Sequence, residues 1–110
     1  MTDTFVGNAI FEMYARYGHD NWFWPPEEMV YGGQPYVKGV LNGPVHIEVW
    51  CDDWDWYRAI LWSEQNDLAP IQGEGETIAE ALDDAGDEFA AFIDEEIQAL
   101  VDLKQVIGHL

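Results

Sequence analysis

Basic residues are the scarcest feature of this 110-residue sequence, which has four lysines and arginines against 22 aspartates and glutamates. The formal net charge of -18 argues against direct binding to nucleic acid, because phosphate contacts require lysine and arginine. The same charge argues against an anionic membrane surface, which attracts basic segments. It favours a basic protein as partner, and it leaves a homodimer open.

Cysteine and long apolar runs are also scarce, and each absence excludes a class of protein. Cys51 is the only cysteine, so no internal disulfide can form, and a single thiol is typical of a reducing compartment. No stretch approaches the roughly 20 apolar residues of a membrane span, and residues 1–4 lack the features of a signal peptide. We therefore predict a cytoplasmic protein.

Apolar residues are plentiful despite the charge. Hydrophobic side chains make up 48% of the sequence and aromatic side chains 15%, whereas disordered chains of high charge contain few aromatics. At this length one domain can bury roughly two-thirds of its unfolded surface. The composition therefore predicts that residues 1–110 fold as a single domain.

Two segments have the periodicity of helices. Apolar residues from Phe5 to Tyr17 recur at spacings of three and four, which predicts an N-terminal helix ended by Gly18. A long helix is expected from Thr77 onward, where Thr77 and Glu80 have the spacing of a capping box. Its expected buried stripe contains Ile78, Leu82, Ala85, Phe89, Phe92, Ile93, Leu100 and Ile107.

The middle of the chain has the alternation of β-strands. Strands are predicted at residues 36–41, 45–51 and 56–63, and Asn42-Gly43 is a strong hairpin signal. The last of these strands has large side chains on both faces, so one face is expected to meet a helix or a partner. Residues 19–26, with two prolines and three aromatics, are predicted to form an ordered loop.

These elements predict a two-layer α+β fold in the order α-β-β-β-α. A three-stranded antiparallel β-meander would be covered by the N-terminal helix and by the long, acidic C-terminal helix.

Residues 67–82 resemble part of the HicB-type antitoxin domain. That family has a β-hairpin, a loop of the form D-L-P-G-C, a short third strand, and G-D-T-x-E-E-A-L at the start of a helix. The residues in register are Asp67, Leu68, Gly75, Thr77, Glu80, Ala81 and Leu82. Glu76 replaces the usual aspartate, and Ala69-Pro70-Ile71 replaces Pro-Gly-Cys. The resemblance covers about residues 45–95 and implies a domain that blocks a small, basic, RNA-cleaving toxin.

Acidic residues are concentrated near the C-terminus. Eleven of the 22 lie between Glu74 and Asp102, with no lysine or arginine among them. Five share one exposed helix face by their spacing: Glu80, Asp83, Asp84, Asp87 and Glu88. Like charges at this spacing lie about 5–6 Å apart and destabilise a helix by roughly 0.2–0.5 kcal/mol per pair. One interpretation is a solvated helix face. The other is a row of carboxylates that imitates the phosphates of a nucleic acid in a basic groove.

A second candidate surface is the turn of Asp52, Asp53, Trp54 and Asp55. These residues lack the glycine and the distal glutamate of a Ca²⁺-binding loop. An exposed tryptophan between acidic residues suits a protein-binding anchor, because tryptophan is enriched at interface hot spots. The alternative is that Trp54 packs over the end of the hairpin.

No residue is predicted to be catalytic, to bind a metal or to hold a cofactor. His19, His46 and His109 show no metal-ligand spacing with Cys51. A glycine-rich phosphate loop and a Ser-His-Asp set are also missing from the sequence. We therefore expect a protein that is not an enzyme.

The predicted function is that of an acidic inhibitor, which binds and blocks a basic nucleic-acid-binding protein. The first choice is an anti-defence protein from a phage or mobile element, a nucleic-acid mimic with anti-CRISPR or anti-restriction activity. The alternatives are a HicB-like antitoxin, as the resemblance implies, and a structural or assembly protein.

Overall fold

The computed structural model describes residues 2–43, 45–52, 56–63 and 68–108. In chain order the elements are α1 (Thr2–Tyr17), β1 (Trp22–Tyr31), β2 (Gln34–Leu41), β3 (Val45–Cys51), β4 (Tyr57–Ser63), β5 (Leu68–Gly75) and α2 (Ile78–Gly108). The strands form one antiparallel meander in the order β1-β2-β3-β4-β5. The predicted α+β class is confirmed, but the predicted three-stranded sheet is wrong, because the described residues form a five-stranded sheet.

The additional strand β1 replaces most of the loop predicted at residues 19–26. It is an edge strand. Its pairing with β2 shifts register twice, first between Trp22 and Trp24 and then between Trp24 and Glu27. The two prolines lie within the second shift. Proline cannot donate to a ladder and is tolerated in strands at edges and bulges. The prolines therefore distort this strand without ending it.

Apolar alternation did not predict the other edge strand, β5, because this strand is rich in glycine and contains proline. A Cβ atom on Gly73 would overlap the backbone nitrogen of Ala85 and lie 2.6 Å from the carbonyl oxygen of Ala81. A Cβ atom on Gly75 would overlap the Cβ atom of Glu80. The two glycines face the same side of the sheet, and they let the backbone of α2 approach β5 directly.

Both helices pack on one face of the sheet, α1 on β1 and β2, and α2 on β4 and β5. The core between them consists of Ala9, Met13, Trp22, Val37, Ile47, Val49, Ala59, Leu61, Ile78, Ala81, Leu82, Ala85 and Phe89. The predicted alternation of β3 is confirmed, since Ile47 and Val49 are both fully buried. Gly18, in a left-handed conformation, ends α1 as predicted, and its N–H donates to the carbonyl oxygen of Tyr14.

The long helix α2 extends beyond the sheet. Its 31 residues span about 46 Å, and the molecule measures 61 × 29 × 25 Å. The first members of the predicted buried stripe lie in the core, but Leu100 is 63% exposed and Ile107 is 59% exposed. The prediction that these two residues are buried is therefore wrong. Helical periodicity identifies the apolar side of a helix but not how far the neighbouring layer extends.

Candidate protein-binding surface

The five predicted acidic residues of α2 lie on its exposed side. Ile78, Ala81, Leu82 and Ala85 on the other side are buried against the sheet. The residues of the exposed side are Glu80, Asp83, Asp84, Asp87 and Glu88. The contacts of these carboxylates differ, and they divide the set into two groups.

Glu80 caps the start of α2. Its N–H donates to the hydroxyl oxygen of Thr77 at 3.0 Å. Its carboxylate accepts a hydrogen bond from the backbone N–H of Glu76 at 2.8 Å. The predicted cap is confirmed, although the carboxylate satisfies the N–H of Glu76 rather than that of Thr77. Glu80 therefore holds the helix start as well as contributing charge.

Asp83 forms an ion pair with Arg16 of α1. The guanidinium also donates to the carbonyl oxygen of Ala79 at 3.1 Å and lies 3.8 Å from the carboxylate of Glu12. The hydrogen bond from Arg16 lowers the pKa of the Asp83 carboxyl and raises the pKa of the guanidinium. Asp83 thus connects the two helices, and its charge is partly neutralised within the fold.

Asp84 contacts the edge of the sheet. Its carboxylate accepts a hydrogen bond from the backbone N–H of Glu74 in β5 at 3.0 Å. An unpaired N–H on an edge strand is a site for unwanted pairing with another chain. Asp84 satisfies this donor and thereby helps to prevent pairing of β5 with a strand of another chain.

Asp87 and Glu88 make no hydrogen bond or ion pair with other described residues. They are exposed, and so are Asp94 and Glu95, which lie seven residues further along the same side of the helix. We call these four residues the acidic row. Its carboxylates are the ones on this side of α2 that the fold leaves available to a partner.

The second predicted surface is only partly within the described residues, because Asp53, Trp54 and Asp55 lie outside them. Asp52 holds the start of the turn. One carboxylate oxygen accepts from the backbone N–H of Trp56 at 3.0 Å, and the other accepts from the guanidinium Nε of Arg58 at 3.1 Å. Asp52, the described residue of this turn, therefore stabilises the fold through these contacts.

Arg58 connects the turn to the start of α2. Its guanidinium bonds Asp52 and also Glu74, the latter at 2.6 Å, and the backbone N–H of Glu74 donates to Asp84. The ends of β3 and β5 and the start of α2 thus meet at one end of the sheet. The structure links Asp52 to the acidic side of α2 through Arg58 and Glu74, a connection that the sequence left open.

The sheet face away from the helices carries an aromatic patch whose members the sequence did not identify. Trp62 stacks on His46 with ring centroids 3.9 Å apart, and its indole N–H donates to Glu48 at 2.9 Å. The ammonium of Lys38 lies 5.3 Å from the centroid of Trp24 and 5.9 Å from that of Trp62. The alternation of β4 predicted large side chains on two faces. The register between strands, which groups them into one aromatic patch, was not visible in the sequence.

No family model, curated protein or solved structure matches the chain. Among the described residues, no group of histidine, cysteine and acidic side chains is arranged to hold a metal ion. None of the described helices has both the length and the apolar character to cross a membrane.

Proposed function

We propose that the chain is an acidic inhibitor that occupies the nucleic-acid-binding groove of a basic protein. The observation that carries this proposal is the acidic row, Asp87, Glu88, Asp94 and Glu95, which is exposed and unpaired in the described structure. No lysine or arginine lies between Glu74 and Asp102 to balance it. An ordinary solvated helix would gain stability from basic residues at these spacings.

The basic residues of the chain do not compensate for the row. Arg16 and Arg58 are each held in ion pairs within the fold, and Lys38 lies between two tryptophan rings. Lys104, the remaining one of the four, lies on the far half of α2. The acidic side of α2 therefore presents a field of one sign, which speeds and orients association with a basic groove.

The proposed target class is a bacterial defence complex, either a CRISPR effector or a restriction enzyme, and the proposed source is a phage or mobile element. Small size and uncompensated acidic charge support this choice, because such complexes bind DNA or RNA through extended basic grooves. Binding would take place in the host cytoplasm and would require no cofactor.

A HicB-like antitoxin is the second candidate. It is supported by the hairpin β3-β4, the strand β5 and the Thr77-capped start of α2, which follow the order of that family's pattern. In this case the partner is a small, basic, RNA-cleaving toxin. Co-expression with the product of the neighbouring gene tests it, and rescue of growth from a toxic basic protein would favour this candidate over the first.

The test of the proposal is displacement of labelled nucleic acid from a panel of purified CRISPR effectors and restriction enzymes. Fluorescence anisotropy should show that the chain releases the nucleic acid from at least one complex, and that release weakens as salt rises. Polyglutamate at equal charge controls for nonspecific competition. Displacement by polyglutamate at the same concentration, or release from no complex, would contradict the proposal.

A further inference from the structure

The second half of α2 has no neighbour in the described structure. Every described residue from position 94 onward is exposed. The large apolar side chains in this segment are between 41% and 63% exposed: Ile97, Leu100, Val101, Leu103, Val106 and Ile107. Contiguous apolar surface of this kind marks a site of association, because leaving it in water is unfavourable.

The apolar side chains have a symmetric spacing. The stripe of Ile93, Ile97, Leu100, Leu103 and Ile107 has successive separations of four, three, three and four residues. At 3.6 residues per turn, all five lie within about 60° of Leu100 around the helix axis. The pattern is therefore the same in both directions from Leu100.

A stripe with this symmetry is complementary to a second copy of itself in the antiparallel direction. A two-fold axis at Leu100 makes each residue face the one at the same distance on the other side. Leu100 then meets Leu100 of the second copy, and Ile97 meets Leu103. Ile107 meets the remaining exposed part of Ile93, which is half-buried and also packs against the core of its own chain. Spacings of three and four are those of side chains that pack knobs into holes between helices.

The charges in the stripe have the same symmetry. Glu96 lies four residues before Leu100 and Lys104 four residues after it, each about 40° from the centre of the stripe. In the antiparallel pair Glu96 of each copy meets Lys104 of the other. A parallel pair would instead place Glu96 beside Glu96 and Lys104 beside Lys104, which is unfavourable.

The other charges of the segment are compatible with this pairing. Asp94, Glu95 and Asp102 lie on the opposite side of the helix, at least about 120° from Leu100. The antiparallel arrangement also places the two sheets at opposite ends of the paired helices. It thereby separates the bodies of two chains that each carry a charge of -18.

We propose that two copies of the chain associate through residues 93–107 of α2, packed antiparallel about Leu100. This inference does not depend on the proposed inhibitor function. The stripe's symmetry and the Glu96–Lys104 complementarity select a second copy as the partner. The acidic row remains on the outer side of both helices.

The first test is the mass of the intact chain in solution, measured by sedimentation over a range of concentrations. The wild type should approach twice 12.6 kDa as concentration rises. Leu100→Asp should stay monomeric. Gln105→Asp introduces the same aspartate on the opposite side of the helix, and this variant should still dimerise. Circular dichroism checks that each variant is folded. A wild type that stays monomeric, or a Leu100→Asp variant that dimerises, would overturn the proposal.

The second test is reversal of the charge pair. Glu96→Lys and Lys104→Glu should each weaken dimerisation by about tenfold, because each places like charges opposite one another. Glu96→Lys should do so even though it lowers the net negative charge of each copy and thus the overall repulsion between copies. The double variant with both changes should restore the wild-type dissociation constant, because each pair is again of opposite sign. Failure of the double variant to recover would show that the helices do not pair antiparallel about Leu100.

Discussion

At the scale of single residues, the carboxylates of α2 have two kinds of role. Glu80, Asp83 and Asp84 each accept a hydrogen bond from the helix start, from Arg16 or from the edge of the sheet. Asp87 and Glu88 have no such contact. Replacing residues of the first group perturbs folding and charge together. Variants that test binding should therefore be taken from the acidic row.

The Arg16–Asp83 pair should be visible in a titration. We expect a pKa of the Asp83 carboxyl below its ordinary value, which Arg16→Gln should restore, because the hydrogen bond from Arg16 stabilises the ionised form. The depressed pKa means that this pair stabilises the fold above the ordinary carboxyl pKa, and that the contribution is lost as pH falls through the depressed value. Carbon-detected NMR of the carboxyl measures it.

Lys38→Gln is the matched control for that titration, because it removes a positive charge that does not contact Asp83. It should leave the pKa of Asp83 low. An unchanged pKa in Arg16→Gln, or an equal rise in both variants, would contradict the role of the ion pair.

Two glycines should respond in opposite directions to the same substitution. Gly73→Ala should destabilise the fold by about 3 kcal/mol, because the new Cβ would collide with the backbone of α2. Gly86→Ala should stabilise it by roughly 0.5–1 kcal/mol, because Gly86 lies within a continuous helix with open space at its Cβ position. Urea unfolding measures both. A destabilised Gly86→Ala variant or a tolerated Gly73→Ala variant would contradict the described packing of α2 against β5.

At the scale of elements, periodicity predicted the two helices and the strands β3 and β4, and the Asn42-Gly43 hairpin signal predicted β2. Periodicity did not predict the edge strands because β1 contains two prolines and β5 contains Gly73 and Gly75, which local rules read as loops. Their roles depend on position at a sheet edge and on contact with α2. The exposure of the acidic residues was predicted, but Arg16 and Asp83 are 67 positions apart, and no local pattern pairs them.

The two halves of α2 should differ in hydrogen exchange. Amides of residues 78–93 pack on the sheet and should be protected at every protein concentration. Amides of residues 97–108 belong to a segment that is exposed throughout in the described structure, and a helical segment of this length is marginal in water. Their protection should therefore rise with concentration as the proposed dimer forms, and Leu100→Asp should abolish that rise. Equal protection of both segments in dilute Leu100→Asp would contradict this description of α2.

At the scale of the whole molecule, α2 carries both the acidic row and the exposed apolar stripe. One side of its first half holds the core, the stripe of its second half is suited to a second copy, and the acidic row lies opposite both. Pairing about Leu100 would place two acidic rows on one elongated particle. If the target groove accepts both, their linkage raises the apparent affinity without new contacts.

The account depends most on whether the acidic row, rather than the total charge, binds the target. Asp87→Asn with Glu88→Gln removes two charges from the row. Asp20→Asn with Glu28→Gln also removes two negative charges, but from exposed positions away from α2. The decisive measurement is the dissociation constant of each double variant for the complex that the wild type inhibits, at one fixed salt concentration. We expect about tenfold weaker binding for the first variant and little change for the second; equal effects of the two would contradict the account.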